Sequence, residues 1–326
     1  MLQRRRLVEL DLLRFIAAIC VMFYHHLHWE MATLDQTTVY ALSRYGDLGV
    51  PLFFMISGFV ILWSAEGKSL RQFAVSRGRR LYPTFWICLC IATVAELSLG
   101  KHVSPQRFLA NLTMAPALLH QKPMDGVYWT LLVELKFYFL VGGLLAIGQL
   151  VRVERWLLLW LIASVAAVAT RESLIVECTI SPWSAYFIAG STLYLIWAKG
   201  LTRYRVLVFV ACAALSFVST LSAVDGSWQR ACVVLGIYAV MLTLVLRVWR
   251  VPDWRLWAML GAITYPLYLL HSRPAKAIWA AMPFPTAISL VLASVLSVVA
   301  AFVVARLVAD GMRRRTGGVA VAVEST

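Results

Sequence analysis

Thr286-Ala-Ile-Ser-Leu-Val-Leu-Ala-Ser-Val-Leu-Ser-Val-Val-Ala-Ala-Phe-Val-Val-Ala305 is a stretch of twenty residues without a charged side chain. Coiled as an α-helix it rises about 30 Å, the depth of a bilayer's hydrocarbon core. It is apolar on every face, so no side of it is reserved for water. The pattern recurs along the chain. Ten spans are expected, at approximately 7–28, 46–65, 81–99, 127–148, 154–170, 178–198, 204–222, 229–248, 257–281 and 285–309, separated by short charged connectors. The expected fold class is all-α, a polytopic membrane helix bundle of about ten transmembrane helices. The sixth, eighth and tenth spans are apolar all round and read as scaffold. Pro51, Pro182, Pro266 and Pro274 fall inside or beside spans, where neighbouring helices can satisfy the carbonyls that a proline frees.

Composition points the same way. Hydrophobic residues make up 61% and charged residues 14% of the 326, against about 45–50% and 25% in soluble domains. The formal net charge of +14 could suit nucleic acid or an anionic surface, but its placement argues for topology instead. With the N-terminus inside, 20 Lys and Arg fall in inside segments and 6 in outside segments, while Arg14, Lys136, Arg273 and Lys276 lie within spans. This bias predicts that both termini are cytoplasmic, and no nucleic-acid partner is expected. Residues 1–315 are read as the transmembrane domain and 316–326 as a disordered cytoplasmic tail. Arg4-Arg5-Arg6 ahead of an apolar run resembles a secretory signal. The run carries Asp11 and Arg14 and no small-residue cleavage site, so it is read as the first span. The longest loop, about Gly100 to Gly126, is outside and too short for a second domain. Cys20, Cys88, Cys90, Cys178, Cys212 and Cys232 lie in or beside apolar runs without metal-ligand spacing. They read as small buried residues, and neither disulfides nor a metal is expected.

Ionisable groups inside the hydrocarbon are costly, so each invites a functional explanation. Asp11 and Arg14 are three apart on the first span and share a helix face, where they can pair. Arg14 and His25 are three turns apart on nearly one face, about 16 Å along the axis. His26 and His28 are read as interfacial, since α-helical geometry turns them elsewhere. Ser57, in Gly49-Val-Pro-Leu-Phe-Phe-Met-Ile-Ser57-Gly58-Phe59, is read as bonding to its own backbone among small residues that allow close packing. Arg77, Arg79 and Arg80 precede the third span. They suit either a stop-transfer signal or bidentate phosphate binding. Glu134 lies about 10 Å into the fourth span and needs a histidine or arginine partner. His271, on the ninth, comes to a similar depth. Three titratable groups, His25, Glu134 and His271, are thus expected to converge, and a proton relay is open as well as chemistry on a substrate.

Leu10-Asp11 with Arg14, ten residues and His25, then Gly49 through Phe59, Arg77-x-x-Arg80 before Leu81-Tyr82-Pro83, Trp129 to Glu134, and Tyr265-Pro-x-Tyr268-Leu-x-His271 follow in order. Together they resemble the membrane acyltransferase family often called acyltransferase family 3, over essentially the whole chain. The resemblance implies an integral membrane O-acyltransferase that moves an acyl group, commonly acetyl from acetyl-CoA or another acyl-CoA, to a hydroxyl. Acceptors implied are carbohydrates, glycolipids and related cell-surface molecules at a bacterial inner membrane. His25 would be the catalytic histidine, Arg14 its companion, and Arg77 and Arg80 the arginine pair. Pro51 stands where many members have an acidic residue, so no role for that carboxylate carries over. The chain lacks the esterase-like domain fused to some relatives, so either the bundle acts alone or a polysaccharide-assembly partner finishes transfer.

A mechanism consistent with this has His25 as general base, Glu134 or Asp11 orienting its imidazole, and Arg14 or His271 stabilising the oxyanion. A covalent acyl-histidine is the alternative route. Arg77, Arg80 and Arg14 would hold the CoA donor. The competing class is a polytopic transporter or flippase for a lipid-linked or small-molecule substrate, in which buried Arg, Glu and His line a path. Against it, no pair of corresponding broken helices marks two halves.

Overall fold

A computed structural model describes residues 7–29, 43–252 and 254–315, which form helices and turns with no strand among them. The expected tail, 316–326, lies outside the described residues. The α-helices are α1 (Val8–Phe23), α2 (Gly49–Ala65), α3 (Leu70–Ser98), α4 (Pro105–Asn111), α5 (Trp129–Ala146), α6 (Val153–Thr170) and α7 (Ser173–Thr179). They continue with α8 (Ser184–Lys199), α9 (Arg203–Leu221), α10 (Trp228–Val245), α11 (Arg255–Leu270), α12 (Arg273–Ala280) and α13 (Thr286–Arg315). A π-helical segment, Tyr24–Trp29, extends α1. Side-chain oxygens start several helices: Thr202 accepts from the Arg205 N–H and Ser227 from the Arg230 N–H, satisfying donors that a helix start leaves open.

Each of the ten expected spans falls on a helix. Among the described residues, seven helical runs are long and apolar enough to cross a membrane: Gly46–Ala65, Leu70–Ser98, Gly126–Ala146, Leu150–Thr170, Arg203–Leu221, Trp228–Val245 and Ala287–Arg314. The other three expected spans meet α1 with its π extension, α8 and α11. Boundaries differ in three places. The third helix begins at Leu70 rather than at 81, so Arg77, Arg79 and Arg80 ride on a helix and not on a connector. The sixth expected span loses 178–183, because α7 ends at Thr179 and α8 starts at Ser184. The ninth is broken after Leu270, and a new helix starts at Arg273.

The chain forms two compact units, with α3 and α5 contributing residues to both. In one (48–75 and 133–252) α8 is the hub, packed on α2, α6, α9 and α10 and buried from Ser184 to Ile196. Two glycines bring α2 and α8 together. A Cβ on Gly190 would stand 1.9 Å from the Met55 carbonyl oxygen, and one on Gly58 2.3 Å from that of Phe187. Ser191 Oγ also donates to the Gly58 carbonyl at 3.2 Å. Small residues at a helix crossing allow this approach where lipid offers no hydrophobic drive. In the other unit (up to 47, 76–132 and from 253) α11 packs on α1 and α13, and α12 packs on α13.

The cysteines are all free, but only Cys88 and Cys212 are buried; Cys20, Cys90, Cys178 and Cys232 are exposed. The outward faces of spanning helices are apolar because lipid is the solvent, so an apolar setting does not imply an interior one.

Candidate functional site

The unit that contains α1 and α11 holds most of the residues singled out in the sequence. On α1, Arg14 Nη1 lies 3.9 Å from Asp11 Oδ1, the three-residue pair expected. Asp11 is buried, and α11 makes room for it with Gly261, where a Cβ would stand 2.5 Å from Asp11 Oδ1.

Three turns further on, the α-helix widens into the π segment that carries His25 and His26. His25 Nδ1 is 2.9 Å from the Val21 carbonyl oxygen and 3.2 Å from His271 Nε2. His271 Nδ1 in turn is 2.7 Å from the Tyr268 carbonyl oxygen. Carbonyls only accept, so Nδ1 carries the proton in both neutral rings. The one His25 Nδ1–H is then shared between the Val21 carbonyl and His271 Nε2, and Nε2 is the basic nitrogen of His25. The two rings meet edge to face with centroids 4.9 Å apart. Sequence reasoning had only depth to join them; the structure brings them into contact.

His26 corrects an expectation. It is buried, not interfacial: Nε2 donates to the His271 carbonyl at 2.7 Å, and Nδ1 is 2.8 Å from Ser294 Oγ on α13. A π turn rotates less per residue than an α turn, so two consecutive histidines can both face inward. The side chain of His28 lies outside the described residues.

Around His271 the contacts continue. Tyr268 Oη is 2.9 Å from Thr130 Oγ1, whose hydroxyl donates to the Val127 carbonyl at 3.0 Å. Beyond the break, the Arg273 N–H donates to Asp125 Oδ2 at 2.7 Å. Asp125 lies in the loop ahead of α5. Burial pushes its carboxyl pKa up, while the N–H groups of Arg273 and Val127, the Ser272 hydroxyl and the Arg273 charge pull it back. Buried Glu96 gathers Lys101 at 3.4 Å, Arg107 at 3.5 Å and Arg273 at 3.4 Å. Sequence reasoning passed over Asp125 and Glu96. An Asp-Gly pair before an apolar run is a capping signal that could have drawn attention to Asp125.

Glu134 belongs to the unit of 48–75 and 133–252. Its Oε1 accepts from Ser57 Oγ at 3.0 Å and from Tyr138 Oη at 2.8 Å. Both of these partners are hydroxyls, not the histidine or arginine expected, and Ser57 donates to this carboxylate rather than to its own backbone. Of the arginine pair, Arg77 is buried and Arg80 exposed, although both stand on α3.

The family model of the acyltransferase domain matches residues 7–306. The chain is similar to the acyltransferase MdmB of Streptomyces mycarofaciens, 28% identical over 69% of this chain and 59% of that protein. It is also similar to nodulation protein 10 of Rhizobium leguminosarum bv. viciae, 27% identical over 58% of this chain and 60% of that protein. The exopolysaccharide production protein ExoZ of Rhizobium meliloti (strain 1021) is 28% identical over 48% of this chain and 52% of its own length. The chain thus spans about half to three-fifths of the length of these relatives. No solved structure matches it.

Proposed function

Since the chain belongs to acyltransferase family 3, we propose that it is an integral membrane O-acyltransferase, moving acetyl from acetyl-CoA to a hydroxyl of a carbohydrate or glycolipid at a bacterial cytoplasmic membrane. The observation that carries this is the contact of His271 Nε2 with His25 Nδ1 at 3.2 Å, which with the Val21 carbonyl puts the His25 proton on Nδ1 and makes Nε2 the basic nitrogen. The name of MdmB supports acyl transfer, and that of ExoZ supports a carbohydrate acceptor. No comparable observation favours a transporter.

On this reading the acceptor hydroxyl gives its proton to His25 Nε2 while its oxygen attacks the thioester carbonyl carbon. The tetrahedral adduct collapses, the C–S bond breaks, and the CoA thiolate takes the proton back from the imidazolium. One ester and one thiol form, and His25 ends neutral. The geometry supports His271 as the group that orients His25, because both its nitrogens are engaged, one by the Tyr268 carbonyl and one by His25. Asp11 is fourteen residues before His25 on one helix, about 20 Å along the axis, too far to touch the ring. Arg14, about 16 Å away, suits the donor better than an oxyanion beside His25. Mass spectrometry of surface glycans from a deletion strain tests the whole reading: an acyl group should disappear, and an unchanged acyl pattern on glycans and glycolipids would refute it.

The orientation proposed has both termini inside, as the 20-to-6 distribution of Lys and Arg predicts. Reporter fusions at residue 320 should be active on the cytoplasmic side; an outside signal would overturn the ten-span count.

Arg77 and Arg80 are proposed to hold the CoA phosphates. Exposed Arg80 can be tested cleanly. Arg80→Ala should weaken acetyl-CoA binding about tenfold or more, the worth of a charge-assisted hydrogen bond, with normal thermal stability. Arg80→Lys should rescue only part, since the planar fork is lost. Buried Arg77 should cost stability as well as donor affinity when replaced by Ala. Unchanged donor affinity in Arg80→Ala would return this arginine to a topology role.

A further inference from the structure

The mechanism above gives no part to Asp125, a fully buried acidic side chain. Asp125 is 0% exposed. Its Oδ1 accepts the Val127 N–H at 3.2 Å and its Oδ2 the Arg273 N–H at 2.7 Å, and the Ser272 side chain adds a further hydrogen bond. One carboxylate therefore caps two helices, the 3-10 turn Gly126–Tyr128 that leads into α5 and the start of α12. A carboxylate this deep is tolerated only where its oxygens are bonded, and here the bonded groups flank His271.

The flanking is two-sided. Tyr268, whose carbonyl receives the His271 Nδ1–H, is tied through its hydroxyl to Thr130, five residues after Asp125. Arg273 and Ser272, directly after His271, are tied to Asp125 itself. The short segment Asp125 to Thr130 thus grips the chain before and after the histidine, at the point where α11 stops and α12 starts anew. A ring held only from its own helix could swing with the helix end. Held from both sides, its Nε2 stays on His25.

We propose that Asp125 is a positioning residue for acyl transfer: its carboxylate pins the Ser272–Arg273 peptide and so keeps His271 Nε2 against His25 Nδ1. The inference rests on the functional reading given above. Displacements of about 1 Å at a catalytic group can cost about 100-fold in rate, which sets the scale expected.

The test compares wild type, His25→Ala, Asp125→Asn and Ser272→Ala, purified into nanodiscs and assayed with labelled acetyl-CoA and an acceptor extract from the deletion strain. Asn keeps one accepting oxygen and turns a donor on the other N–H, so Asp125→Asn should lower kcat by about 100-fold while the KM and Kd for acetyl-CoA stay unchanged. Ser272→Ala keeps the carboxylate and should lower kcat a few-fold, again without change in donor binding. Where Asp125→Asn does not fold, Ser272→Ala decides. The inference is overturned by wild-type kcat in a folded Asp125→Asn or, failing that, in Ser272→Ala. It is equally overturned if kcat and donor binding fall together, the mark of a merely structural residue. Failure of the functional reading looks different: wild type transfers nothing, or His25→Ala transfers as fast as wild type.

Discussion

His25→Ala in nanodisc-reconstituted protein will transfer acetyl about 10²- to 10⁴-fold more slowly than wild type, the range that general-base assistance supplies. Donor binding should persist, because the groups assigned to CoA stand elsewhere. Folding should persist too, since the backbone hydrogen bonds of α1 and its π extension do not depend on this side chain. The contrast with the adjacent histidine is the sharper part of the test. His26→Ala removes the donor from the buried His271 carbonyl and the partner of Ser294. Leaving a buried polar group unsatisfied costs about 1–3 kcal/mol, so that variant should melt earlier while losing far less kcat per folded molecule. Single-turnover rates with labelled acetyl-CoA, measured alongside thermal unfolding, separate the two. A His25→Ala protein with a near wild-type rate would take the chemistry away from this residue and make substrate transport the next hypothesis to test.

The second large effect is on the fold. At Gly190 the added methyl of Ala would land 1.9 Å from the Met55 carbonyl oxygen and 2.8 Å from its carbon, backbone atoms that no side-chain rotation can move aside. Gly190→Ala must push α8 away from α2, and overpacking of this kind costs about 3 kcal/mol. Because α8 touches four other helices, the expected outcome is a sharp fall in melting temperature and in yield from detergent. Gly236→Ala, on α10, is the control: nothing lies within 4 Å of the added methyl, and loss of glycine from a helix gains about 0.5–1 kcal/mol. If Gly190→Ala melted with wild type, the tight crossing of α2 and α8 would be wrong.

The two tests draw on information of different origin. The helices could be read from hydropathy because a lipid-facing segment must be apolar and must satisfy its own backbone. That signal stops where apolarity stops, which is why α3 was expected to start at 81: Leu70 to Arg80 is mixed in character, although its hydrogen bonds continue the helix. The break after Leu270 lies at His271-Ser272-Arg273-Pro274, a short polar interruption between apolar stretches that hydropathy bridges as one span, and the new helix start is fixed by Asp125, which lies 148 residues earlier in the chain. At the site, the Asp11–Arg14 pair was legible from its spacing alone. The meeting of His25 and His271 could be anticipated only as a shared depth. The Ser57–Glu134 bond, between side chains 77 residues apart, had no local trace at all.

The π segment at Tyr24–Trp29 has a consequence best put in terms of insertion and deletion. A π turn holds one residue more than an α turn, closing its hydrogen bonds from i to i+5. Removing a single residue from this stretch would return the helix to α geometry and swing one of the two neighbouring imidazoles out toward lipid. The ten-residue interval between Arg14 and His25 lies almost wholly in the α-helical part, so that spacing survives such a deletion untouched. A chain that kept the arginine, the interval and the first histidine could therefore still lack the second contact to His271. Gain or loss of the buried His26 bridge is a one-residue event.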